Sequence, residues 1–333
     1  MQLLALNGNV QYNLKLHINY IRRSRKSKHE KLPNPSASAH AVILCYHPEM
    51  EKNTPASQET PAAIEGCPDP ASEIKRLRRL LRLHTPSLVA MLKRRGFRVY
   101  KKEISADLLA PGPVFVDGYY EMMKRYSFRL FLRDVIKTAG PFTPKGIARY
   151  ATAEVTQEYT AYLHKTGLLK KTGNSYVLLK HIRSFGETLE WFLAETFRRE
   201  FEAEAVWGVR FKRPLVGGDY DLIAKIDASL LYMEVKSSPP RQIYQNEISA
   251  FVDRVKDLVP AIAVFFMDTE LRMKDKIVPM FEEELAARKL PGAPERIVRE
   301  IFLAPGGIYI INAKGSVAAN IGTVLGHYFR SRQ

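Results

Sequence analysis

The stretch "GGDYDLIAKIDASLLYMEVKSS", residues 217–238, decides how the rest of the chain is read. Two runs rich in Leu, Ile, Tyr and Val flank a short "DAS" segment, which is the pattern of a β-hairpin. A turn centred between Asp227 and Ala228 opposes Asp221 to Glu234 and Asp219 to Lys236. Side chains alternate across a strand, so these four share one face. Tyr220 against Val235, Leu222 against Met233 and Ala224 against Leu231 fall on the other. The expectation is one core face and one face carrying carboxylates with an ammonium beside them. A hairpin with one solvated face is the ordinary result of such alternation. Here, however, carboxylates directly opposed across strands repel. A bound cation reverses that sign, since Mg²⁺ is held by one or two carboxylates together with water and substrate phosphate. The inference depends on register, because a one-residue slip scatters the four residues over both faces.

"DYDLIA", a hairpin and then "MEVKSS" resembles the signature of the PD-(D/E)xK, or restriction-endonuclease-like, nuclease superfamily. Matched to that signature, Asp221 takes the place of the metal-binding aspartate, Glu234 that of the second acid and Lys236 that of the lysine. Tyr220 stands where the signature has its proline, and Asp219 is an alternative ligand or a supporting acid. The resemblance also implies a glutamate on the helix before the first strand. "RSFGETLEWFLAETFRREF", residues 183–201, has helical spacing of Phe185, Leu189, Phe192, Leu193 and Phe197. Glu190 shares a stripe with Gly186, Leu193, Ala194 and Phe197, whereas Glu187 and Glu195 lie on other stripes. Glu190 is therefore the candidate, the alternative being a boundary glutamate paired with an arginine.

The following elements continue the same order. "AEAVWGVRFKR" reads as a first strand, the hairpin as the second and third, "RQIYQNEISAFVDRVKDLV" as an amphipathic helix, and "AIAVFFMDT" as a strand buried on both faces. The expected fold is α/β, a restriction-endonuclease-like αβββαβ core with a mixed sheet. Gln242 and Gln245 begin the helix after the lysine strand, where related nucleases place a polar residue towards water or phosphate; helix-start solvation is the other role open to them.

Upstream, residues 127–140, 143–151 and 152–167 give three short helical patterns, and "LLKKTGNSYVLLK" gives two strands about a Thr-Gly-Asn turn. This order resembles a small winged helix-turn-helix (α+β) domain, whose third helix enters the major groove while the wing meets backbone. On that reading Thr156, Gln157 and Thr160 face bases, and Lys165, Lys170, Lys171 and Asn174 meet phosphates. Small helical domains with a hairpin also serve as docking modules.

The expected organisation is a Pro- and Ser-rich disordered N-terminal region (1–72), a basic helical segment (73–126), the winged-helix-like domain (127–181) and the nuclease-like domain (182–333). In the helical segment Ile74, Leu77, Leu80 and Leu81 alternate with arginines. A packed helix with a solvated arginine face competes there with a surface that meets DNA, lipid or a partner.

Lys and Arg number 51 against 35 Asp and Glu, a formal charge of +16 that steers the chain towards polyanions. No apolar run is long enough to span a bilayer, and no secretory signal pattern opens the sequence. The two isolated cysteines, Cys45 and Cys67, suit a reducing cytoplasm and make no thiolate site. The eight histidines show no H-E-x-x-H or H-x-x-x-H spacing, which leaves zinc hydrolysis without support. The functional expectation is a Mg²⁺- or Mn²⁺-dependent endonuclease acting on duplex or branched DNA. Asp221, Glu234 and Glu190 would hold metal, and Lys236 would orient water or offset transition-state charge. RNA as substrate is one alternative, and a DNA-binding regulator or assembly subunit that keeps the fold as scaffold is another. Pairing of two copies to cut both strands stays open.

Overall fold

The apolar runs become the strands of one mixed sheet with helices on both faces. A computed structural model describes residues 69–212 and 216–332, and the disorder expected for the N-terminal region falls, up to residue 68, outside the described residues. The chain begins with α1 (Pro70–His84), α2 (Leu88–Arg94) and β1 (Val99–Lys101), then α3 (Val116–Met123), α4 (Tyr126–Thr138) and α5 (Ala153–Lys165). A hairpin of β2 (Leu169–Thr172) and β3 (Ser175–Leu178) follows. Next come α6 (Gly186–Glu200), β4 (Glu204–Phe211), β5 (Tyr220–Ile226), β6 (Ser229–Lys236), α7 (Gln245–Leu258) and β7 (Ile262–Met267), in the helix–strand–strand–strand–helix–strand order expected from the sequence. The last elements are α8 (Ile277–Ala287), β8 (Glu295–Val298), β9 (Ile301–Ala304), β10 (Ile308–Asn312) and α9 (Val317–Arg330). The β8–β9 hairpin was not anticipated, and the second of the three upstream helical patterns is only a 3-10 turn at Lys145–Ile147.

The sheet runs β1-β4-β5-β6-β7-β10-β9-β8. β4, β5 and β6 are antiparallel, β6, β7 and β10 parallel. The central parallel strands are apolar on both sides because both faces are covered, and every residue of β7 is buried. One face packs against α6, α9 and residues of α3, α4 and α5, through a continuous cluster that includes Phe128, Tyr159, Phe192, Trp207, Leu222 and Ile321. The other packs against α2, α7 and α8, through Leu92, Tyr232, Phe251, Phe265 and Phe281. The described residues belong to one compact unit, and α2, α3, α4 and α5 share a core with the sheet.

The hairpin register is the expected one: Leu222 pairs with Met233, Ala224 with Leu231 and Ile226 with Ser229. Asp227 takes a left-handed φ of 51° in the two-residue turn, a conformation Asp tolerates better than most residues. The expectation of a single apolar face is corrected, since Ile223, Leu230 and Tyr232 are as buried as Leu222 and Met233. Tyr220 and Val235, expected to face each other, lie in opposite clusters.

The packed-helix reading of α1 is also corrected. Ile74, Leu77, Leu80 and Leu81 are all exposed.

Candidate active site

The carboxylates gather where the β5–β6 ladder opens. Its last backbone pair is Leu222 with Met233. Beyond it the N–H of Val235 donates to Asp221 Oδ2 at 2.7 Å, so a side chain completes what a strand carbonyl would otherwise do. On the other side of β5, Gly208 lies between the pairs Trp207 with Leu222 and Val209 with Tyr220, at the position facing Asp221. Gly208 has a φ of +55°, which only glycine adopts at little cost. Both strands change face there. Trp207 and Leu222 enter one core cluster while Val209 and Tyr220, two residues away, enter the other. This local reversal turns Asp221 towards Glu190.

Glu190, on the inward stripe of α6, neighbours Gly208: a Cβ at residue 208 would lie 3.7 Å from Glu190 Oε2. Among the described residues Glu190 has no ion pair, which disfavours the arginine-paired alternative. Glu187 instead accepts from the N–H of Asp107, and Glu195 pairs with Arg198 and Arg199. Burial, and then the Asp221 carboxylate, push the Glu190 carboxyl well above the usual range. Burial and the Glu234 carboxylate push Asp221 up to about 8, against the pull of the Val235 N–H, Lys236 and Arg254. Burial and neighbouring carboxylates thus hold both acids towards protonation.

Glu234 is differently placed. It is buried, and its Oε1 accepts from Arg254 at 2.7 Å and from Lys236 Nζ at 3.1 Å, while Oε2 accepts from the Tyr232 hydroxyl. Most of its acceptor capacity is therefore taken by protein. Among the described residues no group of three or more His, Cys, Asp or Glu side chains is arranged to share an ion. Of the expected Asp221–Glu234–Glu190 set, Glu234 is thus engaged by protein cations, whereas Asp221 and Glu190 make no ion pair among the described residues.

Lys236 bridges Glu234 and Glu247, at 3.1 Å to each. Burial acts to lower its pKa, yet the Glu234 and Asp221 carboxylates outweigh it and the ammonium stays charged. Asp219 pairs with Arg210 at 2.6 Å and does not meet Lys236. Gln245 opens α7 but donates to the Met280 carbonyl and to Glu284, while Gln242 closes a 3-10 turn.

Arg254 is the member of this network that the sequence reading missed. It lies three residues after Phe251 and four before Leu258, on the apolar stripe of α7, and a charge on a buried stripe was the available signal.

Of the residues expected to touch DNA, Thr156 and Thr160 are buried, with hydroxyls bonded to the carbonyls of Thr152 and Thr156. They face the core of α5 and are removed from the base-reading set, whereas Gln157, Lys165, Lys170, Lys171 and Asn174 are exposed.

No family model matches the chain, and no curated protein does. Among solved structures it is similar to protein VC1899 from Vibrio cholerae, at 13% identity and a TM-score of 0.47, over 74% of this chain and 62% of that one. It is also similar to Can2 from Sulfobacillus thermosulfidooxidans in complex with cyclic tetra-adenylate, at 12% identity and a TM-score of 0.44, over 73% of this chain and 61% of that one. The chain thus spans about three fifths of the length of each. No helix among the described residues is long and apolar enough to cross a membrane.

Proposed function

We propose that this protein hydrolyses phosphodiester bonds in nucleic acid, DNA foremost, with Mg²⁺ or Mn²⁺ held by Asp221 and Glu190. The observation that carries the reading is that these two carboxyls flank Gly208 at the mouth of the hairpin, make no ion pair among the described residues, and stand beside a charged lysine. A bound divalent ion would polarise a phosphoryl oxygen and acidify a water. Lys236, fixed between Glu234 and Glu247, is placed to orient that water or to offset charge as it develops on the phosphate. Glu234 serves as the anchor of Lys236, and Arg254 holds Glu234 in place.

The exposed Gln157, Lys165, Lys170, Lys171 and Asn174 would hold duplex backbone in the manner of a winged helix, and the excess of cations supports that role. One observation favours a second reading, a DNA-binding regulator or assembly subunit: the acid expected as second metal ligand is already neutralised by Arg254.

One experiment decides between them. Labelled supercoiled, linear, branched and single-stranded DNA, and RNA, are incubated with Mg²⁺ or Mn²⁺ and with the wild type, Asp221→Asn, Glu190→Gln or Lys236→Ala. The expected result is metal-dependent cutting that Lys236→Ala lowers about 100-fold or more and that both carboxylate variants abolish, with binding retained. Salt-sensitive binding without cutting of any substrate establishes the regulator.

A further inference from the structure

A cleft of about 800 Å³ opens directly beyond Lys236. Ser237 and Ser238, the next two residues of the chain, form part of its floor, and Ser184 and Phe185, just before the helix that carries Glu190, form part of a wall. It therefore meets the acid cluster from two sides. α4 supplies Tyr126, Arg133 and Lys137; Tyr150, Arg183 and Arg241 come from three further segments. Tyr150 is 55% exposed, a large aromatic ring left free at the cleft. Arg241 and Lys137 are exposed and make no ion pair among the described residues, and Arg133 is anchored on the Ser237 carbonyl.

The acids lining the same space offset this charge only in part. Asp268 is spent on Arg129 at 2.8 Å, and burial pushes the Asp134 carboxyl up against the pull of Arg149, Arg133 and Lys137. Glu270 is exposed, and Arg183 is met from outside the cleft lining by Asp107 at 2.9 Å. Cations spread along a groove beside a free aromatic ring are the combination that follows one nucleic-acid strand, phosphates on the cations and a base on the Tyr150 ring. A cleft with the volume of a small-ligand site suits a few nucleotides of one strand.

We infer that this cleft binds an unpaired strand of nucleic acid, so that the substrate cut beside Lys236 carries a single-stranded stretch. The inference rests on the nuclease reading for the cut and on the cleft alone for the binding. The test is fluorescence anisotropy in EDTA, where nothing is cleaved, with a single-stranded oligonucleotide, a blunt duplex and a duplex bearing a single-stranded flap. Tyr150→Ala and Arg241→Ala each weaken single-strand and flap binding about tenfold and leave blunt-duplex binding within twofold of wild type. Both side chains are exposed, so thermal unfolding should match the wild type and exclude misfolding as the cause. Unchanged single-strand affinity in both variants, or an equal loss for the blunt duplex, overturns the assignment. If the cleft binds as expected while no substrate is cut with Mg²⁺ or Mn²⁺, the nuclease reading fails and the strand site stands.

Discussion

Burial and the Glu234 carboxylate raise the Asp221 carboxyl far above its ordinary range, and that shift should make the protein sensitive to alkali. The Asp221 pKa stands at about 8, whereas the unfolded chain releases the same proton near pH 4, about the ordinary aspartate value. Between those limits the folded state binds a proton that the unfolded state has lost. Stability is therefore full below about pH 4 for this group and declines as pH rises towards 8. Asp221→Asn, which cannot ionise, should flatten that decline and be the more stable protein at pH 8.5, while matching the wild type at pH 5. Unfolding midpoints across pH 5–9 in EDTA check this; parallel curves for the two proteins would sink it. Added Mg²⁺ should raise the wild-type midpoint at pH 8.5 and leave that of Asp221→Asn almost unmoved. Arg254 acts in the opposite sense. Replaced by Met, it leaves Glu234 buried with its charge carried only by Lys236, a loss of about 3 kcal/mol or more measured by urea unfolding. Arg254→Met with Glu234→Gln should regain much of it, because the uncompensated charge is gone.

Between residues and fold lies the reversal at Gly208 and Asp221. A residue other than glycine at φ +55° costs roughly 1–2 kcal/mol. The space for a Cβ is ordinary, since its nearest neighbours lie 3.7 Å away. Gly208→Ala should therefore destabilise through backbone conformation, and Gly208→Asn, better suited to a left-handed backbone, by less; equal losses in urea midpoint would point to crowding of Glu190 instead. This reversal also marks where the sequence stops being legible. The hairpin register followed from the turn and held from Ile226 to Leu222. Period-two reasoning then carried Tyr220 and Val235 to one face, and it fails because strand alternation presupposes a continuous ladder. A similar limit governs α5. Thr156 and Thr160 read as polar, groove-facing residues, but a threonine hydroxyl can bond its own helix carbonyl and so be buried at little cost. Glu190 was legible because it sits on an apolar stripe, and Arg254 carried the same signal on α7. The cleft beyond Lys236 was not, because its cations come from three separate segments that only the tertiary fold assembles.

Over the whole molecule, the helices of residues 116–178 and the sheet are fastened by a charge pair between two residues 139 positions apart in the chain. Arg129 of α4 and Asp268 at the end of β7 meet at 2.8 Å, with side chains 1% and 0% exposed. Arg129 also donates to the carbonyls of Met123 and Lys124, and Arg133, one turn along the helix, reaches the Ser237 carbonyl. Such a pair repays its desolvation mainly by geometry, and removing one partner strands the other. Arg129→Met should therefore cost about 3–5 kcal/mol, while Arg129→Met with Asp268→Leu should return close to wild-type stability. The same contact predicts how unfolding proceeds. The only two tryptophans, Trp191 and Trp207, are both buried beside the sheet, on α6 and β4; Trp191 also meets Tyr119 of α3 at 5.7 Å, so their fluorescence follows the sheet and α3 and not α4, α5 or the β2–β3 hairpin. If α4, α5 and the β2–β3 hairpin share one cooperative unit with the sheet, Arg129→Met shifts the tryptophan transition and the far-ultraviolet circular dichroism transition by the same amount. A helical layer that unfolds independently would lower the dichroism midpoint and leave tryptophan fluorescence where it was. In that case the cleft walls contributed by α4 would loosen before the site did, and strand binding would be lost at lower urea than the fold around Trp191.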